Sequence, residues 1–196
     1  MTDSLSGIRL IAGLGNPGPA YAETRHNAGA WFIEALCQQF RLSLNPEAKF
    51  SARLASWTFG GKTYALLIPS TYMNHSGQAV GAYAKYFQVQ PHDILIVHDE
   101  LDLKAGDVRF KEGGGHAGHN GLKDIIHHLH SRDFQRIRLG IDHPGHKDEV
   151  SDYVLSKPTL EEKRLIKAAI QTAINDLQKL LIQNNTPLKK DEVNGI

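Results

Sequence analysis

His26 and Asp99 are the first residues whose types suggest chemistry. A neutral imidazole with an ordinary pKa of about 6.5 can take a proton near neutrality, so His26 is a candidate general base. It stands two residues before the first helical pattern, where a surface histidine would also fit. Asp99 follows the apolar run Ile94–Val97 and His98. A carboxylate there either caps a loop or bonds one imidazole nitrogen, fixing its tautomer and stabilising the cation formed on proton uptake.

Asn16, Asn74 and Asn120 lie in loops rich in Gly, His and Ser. Each alone could be a turn or cap residue. As a set they offer donors and acceptors without net charge, which suits a peptide backbone or the oxyanion of an attacked carbonyl. No serine sits in a G-x-S-x-G elbow. His, Asp and amides without such a nucleophile point to acyl transfer to an activated water.

Glu100 and Asp102 beside Asp99 raise a metal alternative, but the histidines show neither H-E-x-x-H nor Cys/His ligand spacing. No metal and no cofactor are therefore expected. His127, His128 and His130 should face solvent, because Leu122, Ile125, Ile126 and Leu129 define the buried side of their helix. Between Lys104 and Arg138 there are seven Lys/Arg and four Asp/Glu. Arg109 and Lys111 precede the glycine loop and Arg136 and Arg138 follow it, either as a solvated surface or as a phosphate-binding patch. Tyr21 and Tyr72 in neighbouring loops could stack on a base.

These residues need a scaffold. Strand-like runs fall near Arg9–Ala12, Ser51–Thr58, Tyr64–Pro69, Ile94–Val97, Val108–Lys111 and Ile137–Ile141. Helical periodicity covers Ala28–Phe40, Gly77–Phe87, Gly121–His130 and Leu160–Gln183. The last opens on a capping box, Thr159 with Glu162, behind Pro158. The segment RLSLNPEAK reads as a loop. The alternation predicts an α/β fold, a twisted mixed and largely parallel sheet with helices on both faces, in one domain over residues 1–196. Residues 1–7 read as a short extension and 185–196 as a flexible tail.

Gly13-Leu14-Gly15-Asn16-Pro17-Gly18 has the G-x-G-x-x-G spacing of a dinucleotide turn. That site needs a helix opening inside the glycines and a second strand ending in an acid. Neither is visible, so a nucleotide enzyme is the minority reading. The 196 residues carry a formal charge of +1 and one cysteine, Cys37, which fits a core position in a reducing compartment. No signal peptide or spanning apolar run is visible, and a soluble cytoplasmic protein is expected.

The stretches GLGNPGPAYAETRHNAG, STYMNHSG, HDELDL, GGGHAGHNGLKDI, RIRLGIDHPG and VLSKP together resemble bacterial-type peptidyl-tRNA hydrolases in order and spacing. The resemblance implies hydrolysis of the ester between a peptide and tRNA. It implies His26 as the base activating water and Asp99 as its holder. By the same match, Asn16 separates blocked from free aminoacyl-tRNA, Asn74 binds the peptidyl part, and Asn120 places the water or terminal nucleotide. Tyr21 and Tyr72 would line the tRNA-end site, and Lys111 and Arg138 would clamp the 5′-phosphate. Gly13, Gly15 and Gly18 would bring backbone close to the ligand and present Asn16. The implied partner is peptidyl-tRNA, through its acceptor end and 5′-phosphate; no membrane partner and a monomer are expected. A non-catalytic RNA-binding member and a metal- or nucleotide-dependent enzyme are the rivals.

Overall fold

In the computed structural model, Leu5 and residues 7–185 are described. The chain runs β1 (Leu10–Gly13), α1 (Ala28–Phe40), β2 (Asn45–Glu47), β3 (Ala52–Phe59), β4 (Lys62–Pro69) and α2 (Ser76–Phe87). It continues through β5 (Ile94–Glu100), β6 (Val108–Glu112), α3 (Asn120–Leu129), β7 (Gln135–Gly140), α4 (Val150–Val154) and α5 (Leu160–Asn185). The seven strands form one sheet in the order β2-β3-β4-β1-β5-β7-β6. β4, β1, β5 and β7 are mutually parallel, while β2, β3 and β6 add antiparallel edges.

Alternation along the strands sends side chains to two cores. Ile11, Leu95, Val97, Ile137 and Leu139 meet Phe32, Ile33 and Leu36 of α1 and the apolar stripe of α5. That stripe is Ile166, Ile170, Ala173, Ile174, Leu177 and Leu181, spaced at the helical period. Leu10, Ala12, Leu67, Ile94 and Ile96 meet Ala79, Val80 and Ala84 of α2 and Leu122 and Ile125 of α3. Each such Leu or Ile, fully buried, contributes roughly 1.5–3 kcal/mol. Helices therefore cover both faces. The capping box forms: the Thr159 N–H donates to Glu162 Oε2 at 2.6 Å, and the Glu162 N–H to Thr159 Oγ1 at 3.2 Å.

Three expectations need correction. RLSLNPEAK is not all loop, because Asn45–Glu47 pairs with β3 as an outer strand. Pro46 is tolerated at an edge, where no ladder donor is needed on the outer side. Next, β5 does not stop at Val97. Pairing with β7 carries it through His98, Asp99 and Glu100, so the polar residues sit on a rigid strand. Finally, α4 is a short helix that the sequence reading does not include. The expected tail from Thr186 onward lies outside the described residues. Among the described residues, no helix is long and apolar enough to cross a membrane.

The glycine turn packs tightly against α1. A Cβ on Gly13 would stand 2.2 Å from the Gly29 carbonyl oxygen, and one on Gly29 would stand 2.2 Å from that of Val97. A Cβ on Gly15 would press on Ala30 and the Asn27 amide. Gly13 and Gly15 thus admit the first turn of α1 against β1 and β5.

Candidate active site

The side chain of Asp99 is buried at the C-terminal end of β5. His26 Nδ1–H donates to both carboxylate oxygens at 3.0 Å, and His119 Nε2–H donates to Oδ1 at 3.0 Å. Burial works against the Asp99 charge, but the two imidazoles and their hydrogen bonds win, holding its pKa well below the usual carboxylate value. For His26, burial pushes the pKa down, while the Asp99 charge and hydrogen bond more than offset this and leave it raised above 6.5. With a carboxylate as its partner, Nδ1 must carry the proton, so the neutral ring offers a lone pair at Nε2.

His26 is the middle residue of a 3-10 turn, Arg25–Asn27, whose three side chains go three ways. Arg25 is buried, and its Nη1 donates to Ser156 Oγ at 2.6 Å and to the Lys157 carbonyl at 3.1 Å. Its Nη2 donates to Glu162 Oε2 at 2.8 Å, and its guanidinium lies 4.1 Å from the Tyr153 ring centre. The capping glutamate of α5 therefore also anchors the turn. Asn27 clamps the β1 loop: its Oδ1 accepts from the Asn16 N–H and its Nδ2 donates to the Asn16 carbonyl, both at 2.9 Å. Asn16 Oδ1 in turn accepts from the Met73 N–H at 2.7 Å. That bond assigns the amide orientation and leaves the Asn16 amino group to offer elsewhere.

A cleft of about 710 Å³ opens over these groups. Asn16, His26, Asn74, Asp99 and Asn120 line it, and so do Lys111 and Arg138. Asn74 and Asn120 are exposed. Tyr21 and Tyr72 are not in its lining; their rings meet edge to face with centres 6.0 Å apart. On the neighbouring β7–β6 edge, antiparallel pairing sets Lys111 opposite Arg136 and Arg109 opposite Arg138. The register puts these four cations on one face, because Ile137 and Leu139 between the arginines point into the α1/α5 core. Arg136 is buried and donates through Nη1 to the Gly115 carbonyl at 2.7 Å and through Nη2 to that of Gly114, bracing the glycine loop. Burial and the neighbouring Arg138 bring its pKa down to about 10, so it stays charged. Lys111 lies across Gly114, whose φ of 99° only glycine adopts readily and whose added Cβ would meet Lys111 Cε at 2.9 Å. Arg138 Nε donates to Glu100 Oε2 at 2.8 Å.

The sequence reading missed His119, Asn27 and His98. His119 is the N-cap of α3, where its Nδ1 accepts from the Leu122 N–H at 3.4 Å. Its signal was its place immediately before a helix start in the GHNG stretch. His98 is buried, with its Nδ1–H donating to the Asp99 carbonyl at 2.7 Å; burial drives its pKa down to about 3, so it is neutral. Its Nε2 has no partner. Glu100 is held by Arg138 and by the Asp102 N–H. Among the described residues, the group with metal-ligand atoms close together is instead His26, Asp99 and His119. His127, His128 and His130 are exposed, as expected. Cys37 is buried, and burial raises its thiol to about 11, which leaves it unreactive.

A family model described as peptidyl-tRNA hydrolase matches residues 10–195. Peptidyl-tRNA hydrolase of Coxiella burnetii (strain CbuG_Q212) is 55% identical over 175 residues, covering 89% of this chain and 91% of its own. That of Haemophilus influenzae (strain 86-028NP) is 52% identical over 170 residues, covering 86% and 88%. A crystal structure of peptidyl-tRNA hydrolase from Acinetobacter baumannii matches with a TM-score of 0.87 at 48% identity, over 93% of this chain and 92% of that one. Sequence and fold agree over nearly the full described length, and the chain belongs to the peptidyl-tRNA hydrolase family, hydrolases acting on an ester bond.

Proposed function

We propose that the enzyme cleaves the ester joining a peptide, or an N-blocked amino acid, to tRNA, by attack of a water that His26 activates. The observation that carries this reading is the His26–Asp99 pair at 3.0 Å, opening on a cleft lined by three asparagine amides. Water gives its proton to His26 Nε2 as its oxygen adds to the ester carbonyl. The imidazolium so formed is stabilised by Asp99, which also keeps the proton on Nδ1. Collapse of the tetrahedral intermediate expels the ribose oxygen, which takes the proton back from Nε2. His119 shares the Asp99 carboxylate and holds it in place.

Asn16 and Asn74 read the blocked amide of the peptidyl group. Neutral amides give a free ammonium no charged partner when it is desolvated. Asn120, at the first position of α3, orients the water or the terminal nucleotide. Tyr21 and Tyr72 form a stacking surface for the tRNA end. Lys111 and Arg138 grip the 5′-phosphate. Glu100 orients the Arg138 guanidinium through Nε, which suits the two Nη groups to a two-pronged grip. With this reading goes a cytoplasmic, monomeric, one-domain enzyme that returns tRNA to translation. The route needs only water and the protein's own groups.

Release of tRNA from N-acetylated aminoacyl-tRNA, measured in buffer with chelator, tests the reading. Release that depends on His26 is expected. Binding of tRNA without release would make the chain an RNA-binding protein instead.

A further inference from the structure

Three elements far apart in sequence deliver ligand-type atoms to one place. His26 comes from the turn before α1, Asp99 from the end of β5, and His119 from the cap of α3. One ligand atom from each lies within 4.8 Å of the other two. Asp99 Oδ1 is 3.0 Å from both His26 Nδ1 and His119 Nε2. In a tetrahedral zinc site with bonds of about 2.0–2.2 Å, ligand atoms stand roughly 3.2–3.6 Å apart. The two Asp99–imidazole separations are near that spacing, and the two imidazoles, within 4.8 Å of each other, would close toward it around an ion. Two imidazoles and a carboxylate are also a donor set suited to a borderline divalent ion. Both rings line the cleft, which supplies an open side for entry and for a fourth ligand.

We propose that His26, Asp99 and His119 form a binding site for one zinc-like divalent ion, and that metal binding and hydrolysis exclude each other. The second half rests on the reading of His26 as the base. The site now holds two protons where the metal would sit, on His26 Nδ1 and His119 Nε2. A metal at Nδ1 moves the remaining proton of a neutral His26 to Nε2, the nitrogen that must accept the proton of water. It also takes the carboxylate that stabilises the imidazolium. Zinc thus removes the base and its holder in one event. The accompanying loss at His119 is small, because the bond it gives up to Leu122 is long, at 3.4 Å. Sequence spacing cannot show this site, since its ligands are 73 and 20 residues apart. His127 and His128 on α3, with ring centres 5.4 Å apart and exposed, are the internal control for adventitious zinc.

The experiment titrates the chelator-treated full chain with zinc chloride by calorimetry and with cobalt(II) by visible absorption, alongside hydrolysis of N-acetylated aminoacyl-tRNA. One zinc per chain is expected, with an intense tetrahedral cobalt band and a parallel loss of turnover that chelator reverses. His119→Gln should weaken zinc binding by at least about tenfold, and the double variant His127→Gln/His128→Gln should not. Asp99→Asn gives the same reading if His119→Gln fails to fold. Unchanged zinc affinity in the folded triad variants would overturn the site. Zinc bound at the triad with full turnover would overturn the exclusion. A chain inactive before any metal is added would end the hydrolytic reading, while the titration would still decide the site.

Discussion

The two ends of the cleft are held by opposite means. At the His26 end, a strand terminus, a helix cap and a three-residue turn converge, and His26 and Asp99 are buried. At the Lys111 end, four cations share the face of an antiparallel edge, and Lys111 and Arg109 stay exposed. A group proposed to move a proton needs fixed distances, and His26 and Asp99 are buried and tied by hydrogen bonds. Groups that gather a polyanion act through Coulomb attraction and counterion release, which tolerate hydration and side-chain motion. The contrast predicts that changes at the first end alter turnover and changes at the second alter affinity.

The largest break is His26→Ala. It should lower kcat by on the order of 10²–10⁴ while tRNA affinity survives, as measured by turnover beside a binding assay. A folded variant with near-normal turnover would remove His26 from its role. Asp99→Asn should likewise act on kcat, because an amide favours the wrong tautomer.

The pH profile sharpens the same end. As the proposed base, His26 must be neutral to act, and its pKa is raised above 6.5 despite the opposing effect of burial, chiefly by the Asp99 charge. The rate should therefore fall as pH drops through that raised value. In Asp99→Asn, burial remains and the charge is gone, so the acid limb of the residual activity should move to lower pH. A limb that stays put would show that another group sets it.

A smaller effect is expected at Asn16, which Asn27 clamps beside His26. N-acetylated aminoacyl-tRNA should be cleaved much faster than the unblocked form, and Asn16→Ala should narrow that ratio. An unchanged ratio in a folded variant would move discrimination elsewhere. The smallest effects belong to the basic edge. Lys111→Ala and Arg138→Ala should raise KM for full tRNA, leave kcat nearly unchanged, and each reduce the salt slope of binding by roughly one. Lys179, an exposed cation paired with Asp176 on α5, is the control. Equal effects from Lys179→Ala would count against a localised clamp.

What the sequence shows depends on whether a signal is local. The stripe of α5 and its capping box are visible because period and cap lie within one helix. The alternation of strands and helices gives the sheet with its two helical layers. β2 is hidden because three residues around Pro46 carry no period, and only β3 makes them a strand. The extension of β5 through Asp99 is hidden because it depends on pairing with β7. Among the site residues, His26 and Asp99 stand out by type and position. Asn27 does not, because an amide beside a histidine looks like a helix start until its bonds to Asn16 are seen. His119 escapes for a similar reason: its partner is 20 residues away on another element.

Arg25 binds Glu162 across 137 residues of chain. Ribosomes add roughly 5–20 residues per second, so on the order of ten seconds separates the synthesis of these two residues. Until Glu162 has emerged, the turn bearing His26 lacks its anchor to α5. A nascent chain stopped short of α5 would therefore carry all seven strands without this anchor for the His26 turn. An enzyme proposed to free tRNA from peptides gains this anchor of its own site only after Glu162 has been made.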